Sequence, residues 1–291
     1  MSTFNAAESA AASRLIELAL SEDLADLGDR TSNALIPADL IGVATFISRR
    51  DGVLAGLPVL RILCDLLKPR MTLQEHLRDG AHLQPKSKIV TVSGSMRTIL
   101  LAERTALNFM QRLSGVATLT KRFVDAVAGI PVQILDTRKT TPGWRLLEKY
   151  AVRMGGGTNH RMGLFDGVLI KDNHLAAMGT VEEPVIEAIQ RARASVGTGL
   201  PIEVEVDTLM QLEKALLSKP DIVLLDNMTP DQLRLAVKRR DAASPTTKLE
   251  ASGGVNLDTI RSIAETGVDR ISIGAITHSA TSLDIGLDYG T

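Results

Sequence analysis

Beyond about residue 115 the chain repeats one pattern, a short apolar run of strand length followed by a stretch with helical spacing. The runs are 132–135, 168–170, 202–206, 222–225, 248–251 and 271–273, and helical stretches at 181–194, 209–217, 230–239 and 257–266 separate the later ones. Strands alternating with helices form βαβ units, and hence a parallel sheet. Six runs without a glycine-rich nucleotide fingerprint after the first predict a closed or nearly closed α/β barrel rather than a doubly wound sheet. The part before residue 115 reads differently. Helical spacing over 8–24 is followed by alternation over 43–55, a strand at 88–92 and a long helix over 95–113, stopped at Ser114-Gly115.

The chain of 291 residues is 44% hydrophobic and 23% charged, with a net charge of −1, so it folds into a sizeable core and is no general binder of nucleic acid or anionic membrane. Aromatic residues make up 3%, too few for base-stacking platforms, and the single cysteine, Cys64, excludes an internal disulfide or a cysteine zinc cluster. No apolar stretch is long enough to span a bilayer. The first basic residue is Arg14, so no charged segment precedes an apolar one, and a cytoplasmic setting is expected.

In an α/β barrel the C-terminal ends of the strands converge on one mouth, where active sites lie. Here those ends carry Asp136-Thr137-Arg138-Lys139, Lys171-Asp172-Asn173-His174, Glu205, Asp226-Asn227, Ser252-Gly253-Gly254 and Gly274. Six strands ending in polar or glycine residues point to a site rather than to a structural barrel. From 136 to 171 seven Lys and Arg stand against three Asp and Glu, a local +4 that leaves −5 for the rest of the chain. Arginine binds carboxylate and phosphate bidentately, so this stretch suits a polyanion. Arg145, Lys149 and Arg153 have helical spacing and could simply pair with Glu148 on a solvated face. Ser252-Gly253-Gly254 lies between a strand and a helix expected near 256, an arrangement that aims N–H groups at a phosphate; Gly274-Ala275 permits the same approach. Glu205 and Asp226 could serve Mg²⁺ coordination, sugar hydroxyls or acid–base chemistry. Glu203 shares the orientation of Glu205 by strand alternation and sits deeper, as a supporting partner. His76, His82 and His278 have no ligand spacing.

The runs Asp136 to Gly143, Glu148 to Arg153, Gly155-Gly156-Gly157 with Asn159-His160-Arg161, Leu169 to His174, Glu203 to Val206, Leu225 to Met228, Glu250 to Gly254 and Ile271 to Ala275 resemble the quinolinate phosphoribosyltransferase family of type II phosphoribosyltransferases. Glu103 to Asn108 and Leu113-Ser114-Gly115 fit as well, so the resemblance spans essentially the whole chain. It implies an N-terminal α/β sandwich over 1–114, joined by the tail 276–291, and a barrel of about six strands over 115–275 that carries the active site. The implied reaction joins quinolinate and phosphoribosyl pyrophosphate, with Mg²⁺, to give nicotinate mononucleotide, pyrophosphate and CO₂ in NAD synthesis. The implied working unit is a homodimer or a larger assembly of dimers, in which one subunit's sandwich covers the other's barrel mouth.

By the same resemblance Arg104 reaches across the interface toward quinolinate, whose carboxylates Arg138, His160, Arg161 and Lys171 surround. Thr137 also belongs to the substrate site. Lys139 faces phosphoribosyl pyrophosphate, Glu205 and Asp226 lie near the ribose and the metal, directly or through water or substrate, and Lys139, Glu205 and Asp226 are the expected catalytic residues. Ser252, Gly253, Gly254, Ile273, Gly274 and Ala275 hold the 5′-phosphate. Met154 and Trp144 depart from the family's usual cysteine and leucine and concern loop packing only. Three rivals remain: a molybdenum-locus paralogue with a different acceptor, a Schiff-base aldolase using Lys171, and a non-enzymatic anion binder.

Overall fold

The computed structural model describes residues 3–290, which divide into two units: residues 3–121, Thr140–Gly156 and 276–290 form the first, Arg122–Lys139 and Gly157–Ala275 the second. The expected outer limits at residues 1 and 291 lie outside the described residues. The strands are β1 (Ile41–Ser48), β2 (Gly52–Val53), β3 (Thr72–Glu75), β4 (His82–Leu83), β5 (Lys88–Ser95), β6 (Gln133–Leu135), β7 (Val168–Ile170), β8 (Ile202–Val206), β9 (Ile222–Asp226), β10 (Lys248–Ser252), β11 (Arg270–Ser272) and β12 (Ile285–Tyr289). No described helix is long and apolar enough to cross a membrane.

The first unit holds an antiparallel sheet in the order β12-β1-β5-β3, with the C-terminal strand paired to β1 through Ala44↔Tyr289 to Ser48↔Ile285. Phe46, Val90 and Val92 are buried in its core, as are Ile99, Ala102, Ala106, Leu107, Met110 and Leu113 of the helix Met96–Ala126. Their three- and four-residue spacing is the amphipathic stripe read from the sequence. The helix does not stop at Ser114-Gly115. Both residues are packing devices inside it: Ser114 Oγ accepts from Ala55 N at 3.0 Å, and a Cβ on Gly115 would lie 2.2 Å from the carbonyl oxygen of Thr281. A glycine chosen for close approach leaves the same mark in a sequence as one chosen for a turn. The expected domain boundary after 114 thus falls within this continuous helix.

Glu148 is fully buried and belongs to Arg112, whose Nη2 donates to it at 2.6 Å, while Thr141 N and Oγ1 donate at 3.1 and 2.9 Å. Arg153 pairs instead with the buried Glu8 at 2.7 Å, and Arg145 Nε reaches Thr140 Oγ1 at 3.1 Å. Trp144 stacks on Phe109 with ring centroids 4.7 Å apart. Cys64 is buried in the helix Leu57–Leu66, and burial pushes its thiol up to about 12. Iodoacetamide at pH 8.5 should therefore leave the folded chain unlabelled and modify it fully in denaturant, read by mass spectrometry. Labelling of the native protein at the free-thiol rate would show that Cys64 is accessible.

The second unit is a six-stranded parallel sheet in the order β6-β11-β10-β9-β8-β7. From β7 to β11 the chain moves one strand at a time in one direction, which is barrel winding and not the reversal of a doubly wound sheet. The outer edge of β6 receives residue 158, with Thr158 N donating to Ile134 O at 2.8 Å. Laid flat, that segment would lie about 24 Å from β8 at the usual strand spacing. Yet His160, two residues on, approaches Glu203 of β8 at 3.1 Å and Glu250 of β10 at 3.4 Å. The sheet is therefore rolled, with these side chains on its inner face.

Strand alternation then sorts every residue. Val204, Val206, Val223, Leu225, Leu249, Ala251 and Ile271, all buried, face outward beneath helices that bury Ile189, Leu212, Leu216 and Leu233. Each fully buried branched side chain contributes about 1.5–3 kcal/mol, and that outward set decides which face the helices cover. The inner face carries Glu203, Glu205, Asp226, Glu250, Ser252, Arg270 and Ser272, joined by the registers Glu205↔Leu224, Ser252↔Asp226 and Glu250↔Arg270. Barrel interiors are ordinarily filled by branched apolar residues. Charge in this one is the imprint of a site.

Candidate active site

The inner face has two charged levels. At the upper one, Lys171 follows β7 and its Nζ lies 2.6 Å from Glu205 Oε2 on the neighbouring strand. An ammonium held by a carboxylate is not the desolvated neutral amine that a Schiff base needs, which disfavours the aldolase reading. Lys171 N also donates to His174 Nδ1 at 2.9 Å, closing the start of the helix Asp172–Ala177. Asp226 ends β9 and accepts from the Asn227 side-chain amide at 2.6 Å. Asn227 has φ +53° and donates its N–H to Ser252 O at 3.0 Å, drawing the turns after β9 and β10 together.

That closeness is why residue 253 is glycine. Its φ is +94°, and a Cβ there would sit 2.2 Å from Asn227 Oδ1 and 2.8 Å from Asn227 N. Gly254, also left-handed at φ +58°, has open space where a side chain would be. The turn thus presents bare backbone toward the mouth. It does not run straight into a helix, as the sequence suggested. Asn256 Oδ1 caps Asp258 N and Thr259 N at 3.0 and 3.1 Å, and the helix begins only at Ile260. The asparagine offers the chain a tighter turn first. Ile273-Gly274-Ala275 follow β11, with Ile273 N bonded to Leu135 O at 2.9 Å.

Asp136, fully buried at the end of β6, is a structural anchor: it accepts from His160 N at 2.9 Å and from Asn159 Nδ2 at 2.7 Å. Thr137 Oγ1 accepts from Lys139 N at 3.0 Å, so this hydroxyl shapes the loop that carries Arg138 and the exposed Lys139. Arg161 donates to Gly167 O at 3.2 Å, and its pKa is lowered first by burial and then by the like charge of Arg138. Like charges that act on one another at a partly buried surface are stabilised by a nearby anion. Arg104 lies on the exposed face of the helix Met96–Ala126 in the first unit.

The lower level is the part that sequence reasoning assigned least. Glu203 and Glu250 are buried, and Arg270 Nε lies 2.8 Å from Glu250 Oε2. His160 Nδ1 accepts the N–H of Arg161 at 2.8 Å, so the ring's proton is on Nε2, which faces both carboxylates. Burial would lower the His160 pKa, but hydrogen bonds and charge from Glu203 and Glu250 outweigh it and raise it to about 9, so the cluster draws a second proton. Nδ1 cannot take that proton without giving up the Arg161 N–H. Glu203 can, since burial above all, and then the Glu250 charge, raises its pKa. Burial pushes Glu250 the same way, but contacts with His160 and Arg270 hold it below the usual carboxylate range. One ring nitrogen and two carboxylate oxygens here lie within 4.8 Å of one another, a spacing a cation could bridge. The protonated Nε2 has no lone pair to give one, however, and Arg270 already supplies the positive charge. The oxygen-only pair Glu205 and Asp226 on the upper level is the donor set that suits Mg²⁺. The signal for the lower level was present in the sequence: Glu203, Glu250 and Arg270 are charges inside strands otherwise buried on both faces.

The sequence model described as quinolinate phosphoribosyl transferase, C-terminal domain, matches residues 116–288, and that of the N-terminal domain matches residues 29–114. The nicotinate-nucleotide pyrophosphorylase (carboxylating) of Mycobacterium leprae is 46% identical over 280 residues, covering 96% of this chain and 97% of that protein. A probable nicotinate-nucleotide pyrophosphorylase (carboxylating) of Bacillus subtilis is 41% identical over 261 residues, covering 90% and 88%. Among solved structures, the nicotinate-nucleotide pyrophosphorylase of Francisella tularensis superimposes with a TM-score of 0.89 at 37% identity, covering 99% of both chains. On two matching domain models and near full-length likeness, this chain belongs to the quinolinate phosphoribosyltransferase family.

Proposed function

We propose that the chain transfers the phosphoribosyl group of phosphoribosyl pyrophosphate to quinolinate with decarboxylation, releasing nicotinate mononucleotide, pyrophosphate and CO₂ for NAD synthesis. The observation that carries this reading is the charged inner face of the rolled sheet, where the Lys171–Glu205 pair stands above the buried Glu203, Glu250 and Arg270 and the like charges of Arg138 and Arg161 act on one another. The relatives described above bear the name of this enzyme rather than that of a molybdenum-locus paralogue.

In this reading Arg138, Arg161 and Lys171 clamp the two acceptor carboxylates and set the pyridine nitrogen in line with the ribose carbon, so that much of the rate comes from positioning. The nitrogen lone pair forms the new bond as the carbon–oxygen bond to pyrophosphate breaks. Glu205 and Asp226 stabilise the positive charge that develops on the ribose. Both carboxylates fit Mg²⁺, which supplies charge neutralisation at the pyrophosphate when bound. Lys139 contacts the pyrophosphate donor, and the turns at Ser252-Gly253-Gly254 and Ile273-Gly274-Ala275 hold the 5′-phosphate. After transfer the cationic ring nitrogen accepts the electron pair left when the carboxylate carbon departs as CO₂, and a proton from water completes the ring.

Labelled CO₂ should appear from carboxyl-labelled quinolinate only with phosphoribosyl pyrophosphate and Mg²⁺ present; none under saturating substrates would defeat the proposal. Arg138→Ala is expected to raise KM for quinolinate about tenfold to a hundredfold, because it removes a charge-assisted fork, while leaving KM for the pyrophosphate substrate near wild type. Steady-state kinetics with each substrate varied in turn checks this. The working unit is a homodimer in the cytoplasm, with Arg104 of one subunit completing the other's site. Mixing inactive Arg104→Ala and Lys171→Ala proteins should then restore part of the activity, and no recovery in exchanging dimers counts against a shared site.

A further inference from the structure

Glu203, Glu250 and Arg270 touch no reacting group in the proposal above, yet they are ionisable side chains gathered inside the barrel. Burying charge is costly unless each group is paired, so the arrangement calls for a reason. What it secures is the ring of His160. Nε2 of that ring faces Glu203 Oε2 at 3.1 Å and Glu250 Oε1 at 3.4 Å, while Nδ1 accepts the backbone N–H of Arg161 at 2.8 Å. An imidazole that accepts at one nitrogen donates at the other, so the carboxylates and the peptide select one tautomer between them. The peptide before it is held by Asp136, which takes the His160 N–H at 2.9 Å. The next side chain is Arg161, anchored on Gly167 O at 3.2 Å.

We infer that Glu203, assisted by Glu250, is a positioning residue for the acceptor site: it holds His160 in its Nε2–H tautomer, and His160 in turn fixes the backbone from which the Arg161 guanidinium projects. The inference rests on the proposed dicarboxylate acceptor only for its kinetic consequence; the tautomer stands apart from it. Both histidine ring nitrogens are thereby spent inside the protein, and the carboxylates of the acceptor fall to the arginines and Lys171. A cavity of about 340 Å³ adjoins the cluster, lined by His160, Arg161, Glu203 and Arg270 among others, and gives a truncated side chain room without collapse of the strand.

Two measurements test this. In histidine-¹⁵N-labelled protein at pH 7.5, with the His160 signals assigned by their loss in His160→Gln, Nδ1 is expected to be unprotonated and Nε2 protonated. An imidazolium, or the opposite tautomer, overturns the inference whatever the activity. In kinetics, Glu203→Ala should raise KM for quinolinate about tenfold, the scale of one buried donor left unpaired, with KM for phosphoribosyl pyrophosphate within about twofold of wild type. Glu203→Gln, whose amide oxygen still accepts the Nε2 proton, should recover most of that loss. Equal rises for both substrates, or no change, would mean that Glu203 serves packing alone. A wild-type chain that turns over no quinolinate would defeat the functional proposal, and the ¹⁵N spectrum would still decide the tautomer.

Discussion

Replacing Asp226 with alanine is expected to lower kcat by about 10²–10³-fold while KM for quinolinate changes little, since this is the scale of losing one fixed group that meets charge only in the transition state. Asp226 stands at the end of β9, level with Ser252 on β10 and diagonal to Glu205 on β8, on the inner face of the sheet. Its backbone is fixed by the ladder, and Asn227 orients the carboxylate at 2.6 Å. Alanine keeps the strand and removes only the charge. Arg138→Ala is expected to do the reverse, because a clamp on the acceptor is engaged before and during the reaction alike. The pair of variants therefore separates the two halves of the site in one experiment. A kcat for Asp226→Ala within threefold of wild type would remove the carboxylate from the reacting centre.

The second large effect is on stability. Arg112→Ala should cost about 3–5 kcal/mol and lower the unfolding midpoint on the order of 10 °C, because it strands the fully buried Glu148 without its cation. Arg112 also donates to Ala280 O at 2.8 Å and Thr277 O at 2.5 Å, so one guanidinium ties the helix Met96–Ala126 to residue 148 and to the segment 277–280, far apart in the chain. Adding Glu148→Gln to Arg112→Ala should recover part of the loss, since a neutral amide costs less to bury and still accepts from Thr141. Differential scanning calorimetry of the three variants measures this. An Arg112→Ala midpoint within 2 °C of wild type would show that Glu148 is not held as the contacts indicate.

Local pattern carried the strand and helix alternation well. The runs at 202–206 and 222–225 became β8 and β9 almost residue for residue, because a buried parallel strand is a continuous apolar run whose ends are marked by turn chemistry. The polar strand ends were equally legible: Lys171, Glu205, Asp226 and Ser252 follow from where each run stops. Ser114-Gly115 and Asn256 were misread for a shared reason. A glycine selected by a neighbouring backbone, or an asparagine that caps its own turn, has the composition of a helix boundary without being at one. Helical spacing offered Glu148 the cations of its own helix, whereas its partner Arg112 is 36 residues away.

The sequence by itself determined the parallel sheet, the order of its strands' functional ends and the family, since period, turn residues and motifs are local and survive without any fold. Only the tertiary structure decided who meets whom. The rolling of the sheet brings residue 160, beside β6, against Glu203 and Glu250 on strands that would lie far off in a flat sheet. Alternation says which face a side chain takes, but curvature sets what stands opposite, and curvature is a property of the whole sheet.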